Sequence, residues 1–287
     1  MRMPMLLTII TINRNNAEGL ARTMRSVLGQ SDRTFEYVVV DGGSTDGSRE
    51  VVEAHAEELT AWVSERDNGI FNAMNKGVSM AHGDYVLFVN SGDELYDKDV
   101  IAKVMPALAA GDADICSGAL LRMERHPKVI PSPKRPTVLF LVRDSLPHPA
   151  TFIRRERLLE RPYDEDYRIV SDWAFNLREL LLYGAVYKRL DVTVSRFDLT
   201  GVSSLSAEAR DDERRRYLLS IFPERLVDTL LETDIEDERE LKRRRKIDMC
   251  LRQPTALGGS WKMWRNATKW LLGDLVGSLF CQGRKRR

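Results

Sequence analysis

Two stretches, Glu36-Tyr-Val-Val-Val-Asp41-Gly-Gly-Ser-Thr-Asp46-Gly47 and Gly83-Asp84-Tyr-Val-Leu-Phe-Val-Asn90-Ser-Gly-Asp93-Glu94, decide the fold. Each is a short apolar run that stops abruptly in carboxylates and glycines. A strand buried on both faces of a parallel sheet reads this way, because polar chemistry is delivered only at its carboxyl end. Working outward, hydrophobic spacing predicts strands over 6–12, 36–40, 61–64 and 85–89, and helices over 17–28, 44–59, 69–81 and 98–109. Such alternation implies βαβ units, hence a parallel sheet with right-handed crossovers and helices on both faces. Ser44, Gly47 and Glu50 read as a helix start just past the second strand, with amides that would face an anionic or polar ligand. Beyond residue 110 the pattern loosens into a Pro-rich connector at 127–136, a short strand at 151–153 and a helix at 172–182 carrying Trp173, Phe175 and Leu177. This half is expected to complete the sheet and form one wall of a cleft. Residues 207–246, dominated by Arg, Glu and Asp in helical register, read as a solvated helix with no chemistry.

A chain of 287 residues with 43% hydrophobic and 30% charged residues has ordinary soluble composition, enough for one large domain with an appendage. The net charge of +1 conceals basic clusters at 242–246 and 284–287, but it does not favour a nucleic-acid partner. Cys116, Cys250 and Cys281 are far apart and form no CxxC pair, which argues against a disulfide framework or a cysteine zinc site and for a reducing cytoplasm. The first ten residues read as a strand rather than a leader, since the apolar run is brief and Asn13-Arg-Asn-Asn16 follows. No run reaches the roughly 20 apolar residues that span a bilayer.

Four motifs occur in order: Thr8-Ile-Ile-Thr-Ile-Asn13-Arg14, Val38-Val-Val-Asp41-Gly-Gly-Ser-Thr-Asp46-Gly47, Asp67-Asn-Gly-Ile-Phe-Asn-Ala-Met-Asn75-Lys76-Gly77, and Tyr85 to Asp93. In this arrangement the sequence resembles the family 2 glycosyltransferases with the GT-A fold, inverting enzymes that use nucleotide-diphosphate sugars. The resemblance covers residues 5–205. It implies a GT-A domain at 1–205, with a nucleotide-sugar-binding half (1–110) and an acceptor half (111–205), followed by a helical extension at 206–287. By resemblance, Thr11, Asn13, Arg14 and Asp41 line the base pocket, Asp41 accepting from a base N–H. Asp67 and the Asn75-Lys76 pair approach the nucleotide or sugar. A departing diphosphate accumulates negative charge, so Mg²⁺ or Mn²⁺ is expected at Asp93 with Asn90. The family pattern there is Asp-x-Asp-Asp, whereas this chain reads Asn90-Ser-Gly-Asp93 and keeps one carboxylate. Met74 likewise stands where the family commonly has Arg. The base that deprotonates the acceptor hydroxyl is, by resemblance, Asp172 in Val170-Ser-Asp-Trp173; on local sequence alone it reads as an N-cap. Pro147-His148-Pro and Trp173 fall on the acceptor side, and Phe197 with Gly201-Val-Ser203 resembles the segment that closes over both substrates.

In the tail, Trp261, Trp264, Leu271, Leu275 and Leu279 follow helical spacing ahead of Arg284-Lys-Arg-Arg287. This describes either an amphipathic helix over 260–281 lying in an anionic membrane interface, or a helix packed against protein. The sequence therefore reads as a transferase of a UDP-sugar to a glycan or lipid-linked acceptor, cytoplasmic or peripheral on the inner face of a bacterial cell membrane. A dehydrogenase is disfavoured, because no G-x-G-x-x-G follows the first strand. A degenerate nucleotide-sugar-binding partner of an active transferase, motivated by Asn90 and Gly92, stays open.

Overall fold

A computed structural model describes residues 6–197 and 207–232 of the chain. In the first half, β1 (Leu7–Asn13), α1 (Ala17–Leu28), β2 (Glu36–Asp41), α2 (Ser48–Glu53), β3 (Ala61–Ser64), α3 (Ile70–Met80), β4 (Tyr85–Phe88), the two-residue β5 (Glu94–Leu95) and α4 (Val100–Ala109) follow one another. The second half contains β6 (Ile115–Arg122), β7 (Lys128–Ile130), α5 (Val138–Arg143), β8 (Thr151–Arg154), α6 (Arg155–Glu160), α7 (Ser171–Leu181), β9 (Tyr187–Phe197), α8 (Ala207–Ile221) and α9 (Glu224–Glu232). The strands form one sheet of order β3-β2-β1-β4-β8-β6-β9-β5, with β7 paired to β6. β1 to β4 are mutually parallel, as the alternation predicts. β8 enters antiparallel between β4 and β6, and β6 and β9 are parallel to each other.

Every residue of β1, β2 and β4 is buried, which is why these strands read as continuous apolar runs. Leu7, Ile9, Tyr37, Val39 and Leu87 pack under α1 and α4; Ile10, Ile12, Val38, Val40 and Phe88 pack against α3, Leu158 and Phe175 on the other face. The expected helix over 44–59 is shorter, Ser48–Glu53, followed by a 3₁₀ turn at Ala56–Glu58. Asp46 is the cause: its Oδ1 accepts from the Ser48 amide (3.1 Å) and hydroxyl (2.6 Å), so the helix starts only there. β5, β6, β7, β9, α5 and α6 are additions to the sequence reading, β7 lying inside the expected connector.

The expectation of a solvated helix after residue 207 needs correction. Tyr217 and Leu218 of α8 and Leu226, Val227 and Leu230 of α9 are buried with Leu139, Val142, Trp173 and Leu177. Arg143 donates to the last carbonyls of α9, Leu230 (2.9 Å) and Leu231 (3.1 Å). The expected division at 205/206, Gly201-Val-Ser203, Cys250, Cys281, the basic clusters and the 260–281 stripe all lie outside the described residues. No helix among the described residues is long and apolar enough to cross a membrane.

On α7, Glu179 is fully buried and pairs with Arg161 (2.6 Å) and Arg157 (3.3 Å), while Arg157 also reaches Asp114 of the segment before β6 (3.1 Å). This knot joins α6, α7 and the sheet. Removing its central carboxylate leaves the guanidinium groups without their buried partner, so Glu179→Ala is expected to cost about 3 kcal/mol of unfolding free energy. Urea titration measures it, and a loss near zero would show that the arginines find water instead.

Candidate active site

The carboxyl ends of β1, β2, β3 and β4 meet at one edge, and the centre of that edge is Asp41. Its fully buried carboxylate accepts four hydrogen bonds: from Asn13 Nδ2 (2.8 Å) and the Ser44 hydroxyl (2.5 Å) on Oδ1, and from the Ser44 amide (3.0 Å) and the Ser64 hydroxyl (2.7 Å) on Oδ2. Burial by itself raises the carboxyl pKa; the donors from Ser44, Ser64 and Asn13 outweigh it and hold the group below its ordinary value. The Ser44 amide is therefore spent on Asp41, which corrects the expectation that the amides of this turn greet a ligand. Because Asn13 presents Nδ2 to the carboxylate, its Oδ1 points away, buried and without a partner.

Thr11 does not reach the edge. Its hydroxyl donates to Val89 O (2.7 Å) inside the sheet and accepts from Tyr37 (3.0 Å), so both of its roles are filled in the core. Arg14 is exposed and lies beside Gly42, where a side chain would touch Arg14 Cδ at 3.5 Å and stand only 3.0 Å from Asp67 Oδ2. Asp67 is buried and accepts from Lys76 (2.6 Å), which also reaches Glu65 (2.7 Å). Burial works against the Lys76 charge, but these carboxylates override it and raise its pKa. Asn75 is turned away from any sugar site: it donates to Tyr163 O (2.9 Å) and Glu165 (3.0 Å) and accepts from the Tyr163 amide (3.0 Å). It is a clamp between α3 and the segment before α7.

Residues 90–93 form a tight turn, the Asp93 amide donating to Asn90 O at 2.9 Å, with Gly92 at φ +103°, which only glycine adopts without strain. Thr23 of α1 fastens it by donating to Asp93 O (2.6 Å) and accepting from the Gly92 amide (3.0 Å). Asp93 is 6% exposed, and Asn90 Oδ1 is buried without a hydrogen-bond partner. Among the described residues no group of three or more His, Cys, Asp or Glu is arranged for a metal. One carboxylate and one orphan amide oxygen nevertheless fit a hard cation that draws its other oxygens from a diphosphate and water.

β8 starts at this same edge because it runs opposite to β4, and the 3₁₀ turn before it brings in His148. The imidazole stacks on Phe88 (5.1 Å between centroids) and sits 3.4 Å from the Tyr163 hydroxyl. Burial lowers its pKa, against the charge of nearby Asp172. Tyr163 is buried among Phe71, Phe88 and Phe175, and burial, with Asp172 adding to it, drives its pKa well above that of a phenol. Asp172 is the second residue of α7, which Val170 precedes with no side-chain capping bond. Its N-cap reading is therefore not what the helix uses. Glu213 of α8 receives the Arg168 and Ile169 amides (2.9 Å each) just before that helix. Trp173 is corrected to a core residue: it is 2% exposed and its indole donates to Leu141 O (2.7 Å). Tyr163, Glu165 and Glu213 were missed in the sequence, where only the aromatic residue directly after Arg161-Pro162 offered any signal of a packed turn.

The Asp41 knot generates a stability prediction. Asp41→Ala strands four donors and is expected to cost at least about 2 kcal/mol. Because the folded-state pKa lies below the unfolded one, this margin is complete above about pH 4 and is lost as the pH falls through the folded value. Urea titrations of parent and variant over a pH series check it, and an undiminished margin at acid pH contradicts it.

The sequence model described as glycosyl transferase family 2 matches residues 8–178. An uncharacterized glycosyltransferase of Mycobacterium tuberculosis is 34% identical over 205 residues, covering 69% of this chain and 76% of its own length. A PGL/p-HBAD biosynthesis glycosyltransferase of Mycobacterium bovis is 30% identical over 201 residues, or 68% and 78% of the two chains. The crystal structure of S. aureus TarS 1-349 in complex with UDP-GlcNAc is similar with a TM-score of 0.62, covering 92% of this chain and 79% of that one at 19% identity. Edge geometry, motif order and relatives agree: the chain is a glycosyltransferase of family 2, built on the GT-A fold.

Proposed function

We propose that the enzyme transfers a sugar from a UDP-sugar to an acceptor hydroxyl with inversion, in the assembly of a bacterial polysaccharide or lipid-linked glycan. The observation that carries this reading is the convergence of two unlike groups on one edge. On one side are Asp41, Asn13 and the 90–93 turn; on the other is Asp172, a carboxylate at a helix start without a capping bond, within electrostatic reach of His148 and Tyr163. The part in PGL/p-HBAD biosynthesis that the Mycobacterium bovis relative's name gives it, and the UDP-GlcNAc bound by TarS, support this reading.

In this reading Asn13 Oδ1 accepts from the base while Asp41, its own acceptor positions filled, holds the Asn13 amide in place, and Asp67 with Lys76 borders the diphosphate. Asp172 takes the proton from the acceptor hydroxyl as its oxygen attacks the anomeric carbon from the face opposite the leaving diphosphate. Asp172 stands in the first turn of α7, at the positive end of the helix dipole. Asp93 and Asn90 would hold Mg²⁺ or Mn²⁺, which supplies positive charge to the departing diphosphate. His148 and Tyr163, both kept neutral by burial, shape the acceptor side without competing for the proton. The stripe over 260–281 attaches the enzyme to the inner face of the cell membrane.

A thermal-shift screen of nucleoside diphosphates and their sugars, with and without Mn²⁺, tests the donor. UDP is expected to raise the melting temperature most, and more so with Mn²⁺; no response to any nucleotide overturns the reading. Asp172→Asn is expected to lower turnover roughly 10²-fold or more while the UDP shift persists. Unchanged turnover returns Asp172 to structure, and absent turnover in the parent favours the non-catalytic nucleotide-sugar-binding partner, the reading that Asn90 and Gly92 motivate. Deleting 258–287 is expected to weaken binding to anionic vesicles; undiminished binding places the attachment elsewhere.

A further inference from the structure

β6 and β4 both pair antiparallel with β8, so β6 runs in the same direction as β4 and ends at the edge where Asp41 and Asn90 lie. There it turns through residues 123–127 into β7. Residues 123–129 are all exposed, including two apolar side chains, Met123 (47%) and Val129 (48%). Between 122 and 135 the sequence carries Arg122, Arg125, Lys128, Lys134 and Arg135 against the single carboxylate of Glu124. Glu124 pairs with Arg122 (3.2 Å), and no carboxylate among the described residues pairs with Arg125, Lys128, Lys134 or Arg135. The register also sets Arg122 directly opposite Lys128, a like-charge pair that an antiparallel ladder normally avoids because it destabilises the pairing.

We infer that this hairpin is a second membrane contact, docking on an anionic lipid surface and turning the acceptor side of the active-site edge toward the bilayer. A soluble polyanion would answer the charge but gain nothing from Met123 and Val129. An anionic interface uses both, because basic residues draw on the headgroups' potential while apolar side chains enter the boundary with the acyl chains. Charges on a short edge strand also discourage edge-to-edge pairing, a role that would leave membrane affinity untouched by substitution. The orientation of the site rests on the transferase reading above, whereas the lipid contact itself does not.

The test is vesicle co-sedimentation of the full chain with phosphatidylglycerol and with phosphatidylcholine vesicles. The double variant Arg125→Glu/Lys128→Glu is expected to bind phosphatidylglycerol at least about tenfold more weakly, with binding to phosphatidylcholine little changed. Met123→Ser is expected to weaken binding to phosphatidylglycerol severalfold while leaving binding of inorganic polyphosphate unchanged. If both variants bind vesicles like the parent, the inference is overturned and the attachment belongs to the C-terminal segment alone. If Met123→Ser binds vesicles like the parent and charge reversal abolishes polyphosphate binding, the patch is a site for soluble polyanions and the inference is equally overturned. The UDP-induced thermal shift, measured on the same variants, reports the donor site separately; its absence in the parent faults the transferase reading without touching the lipid result.

Discussion

The constraint on which the structure depends is the need to satisfy a buried carboxylate at the end of a buried strand. Asp41 meets it by drawing one donor from β1, one from the end of β3 and two from its own turn. Four acceptor positions filled from three places fix the relative height of three strand ends. The pattern then spreads sideways. Asp46 binds the Ala17 amide at the start of α1, Asn16 reaches the Ser91 carbonyl, and Thr23 pins the turn at Gly92 and Asp93. The edge from β3 to β4 is thus a single hydrogen-bonded sequence.

The part of the edge that carries His148 and Tyr163 is tied to it by different means. Asn75 holds the Tyr163 backbone, aromatic packing carries Tyr163 to Phe88 and His148, and Glu213 grips the two amides that lead into α7. The charged helix α8, which reads as solvent-facing, is therefore part of what sets the position of Asp172. Arg214 strengthens the same seam, lying over the Trp173 ring at 5.1 Å and donating to Arg143 O at 2.8 Å.

The first half was legible because β1, β2 and β4 are buried on both faces, so local composition and tertiary environment agree at each position. Asp41 and Asp93 were found at the edge for that reason, while Asp67 follows the half-buried β3. The second half was less legible. β6 contains Cys116, Ser117 and Gly118, and much of β9 is only partly buried, so neither shows a clean period. α8 buries Tyr217 and Leu218 among arginines whose charges dominate any local reading. Residue roles failed where a side chain's direction decides them: Thr11 points into the core, Trp173 into the helical layer, and Asn75 toward a backbone 88 residues away. No sequence spacing encodes those directions. The tail lies beyond the described residues, and its sequence argument stands alone.

β8, the reversed strand, is bonded to β4 on one side and β6 on the other, in the middle of the sheet. A sheet continuous through its centre has no hinge there. The two halves of this enzyme are not jaws that open and shut around their substrates; separating them would break ladder hydrogen bonds on both sides of β8. The distance between the ends of β4 and β6 is instead set by the one strand, β8, that is hydrogen-bonded to both.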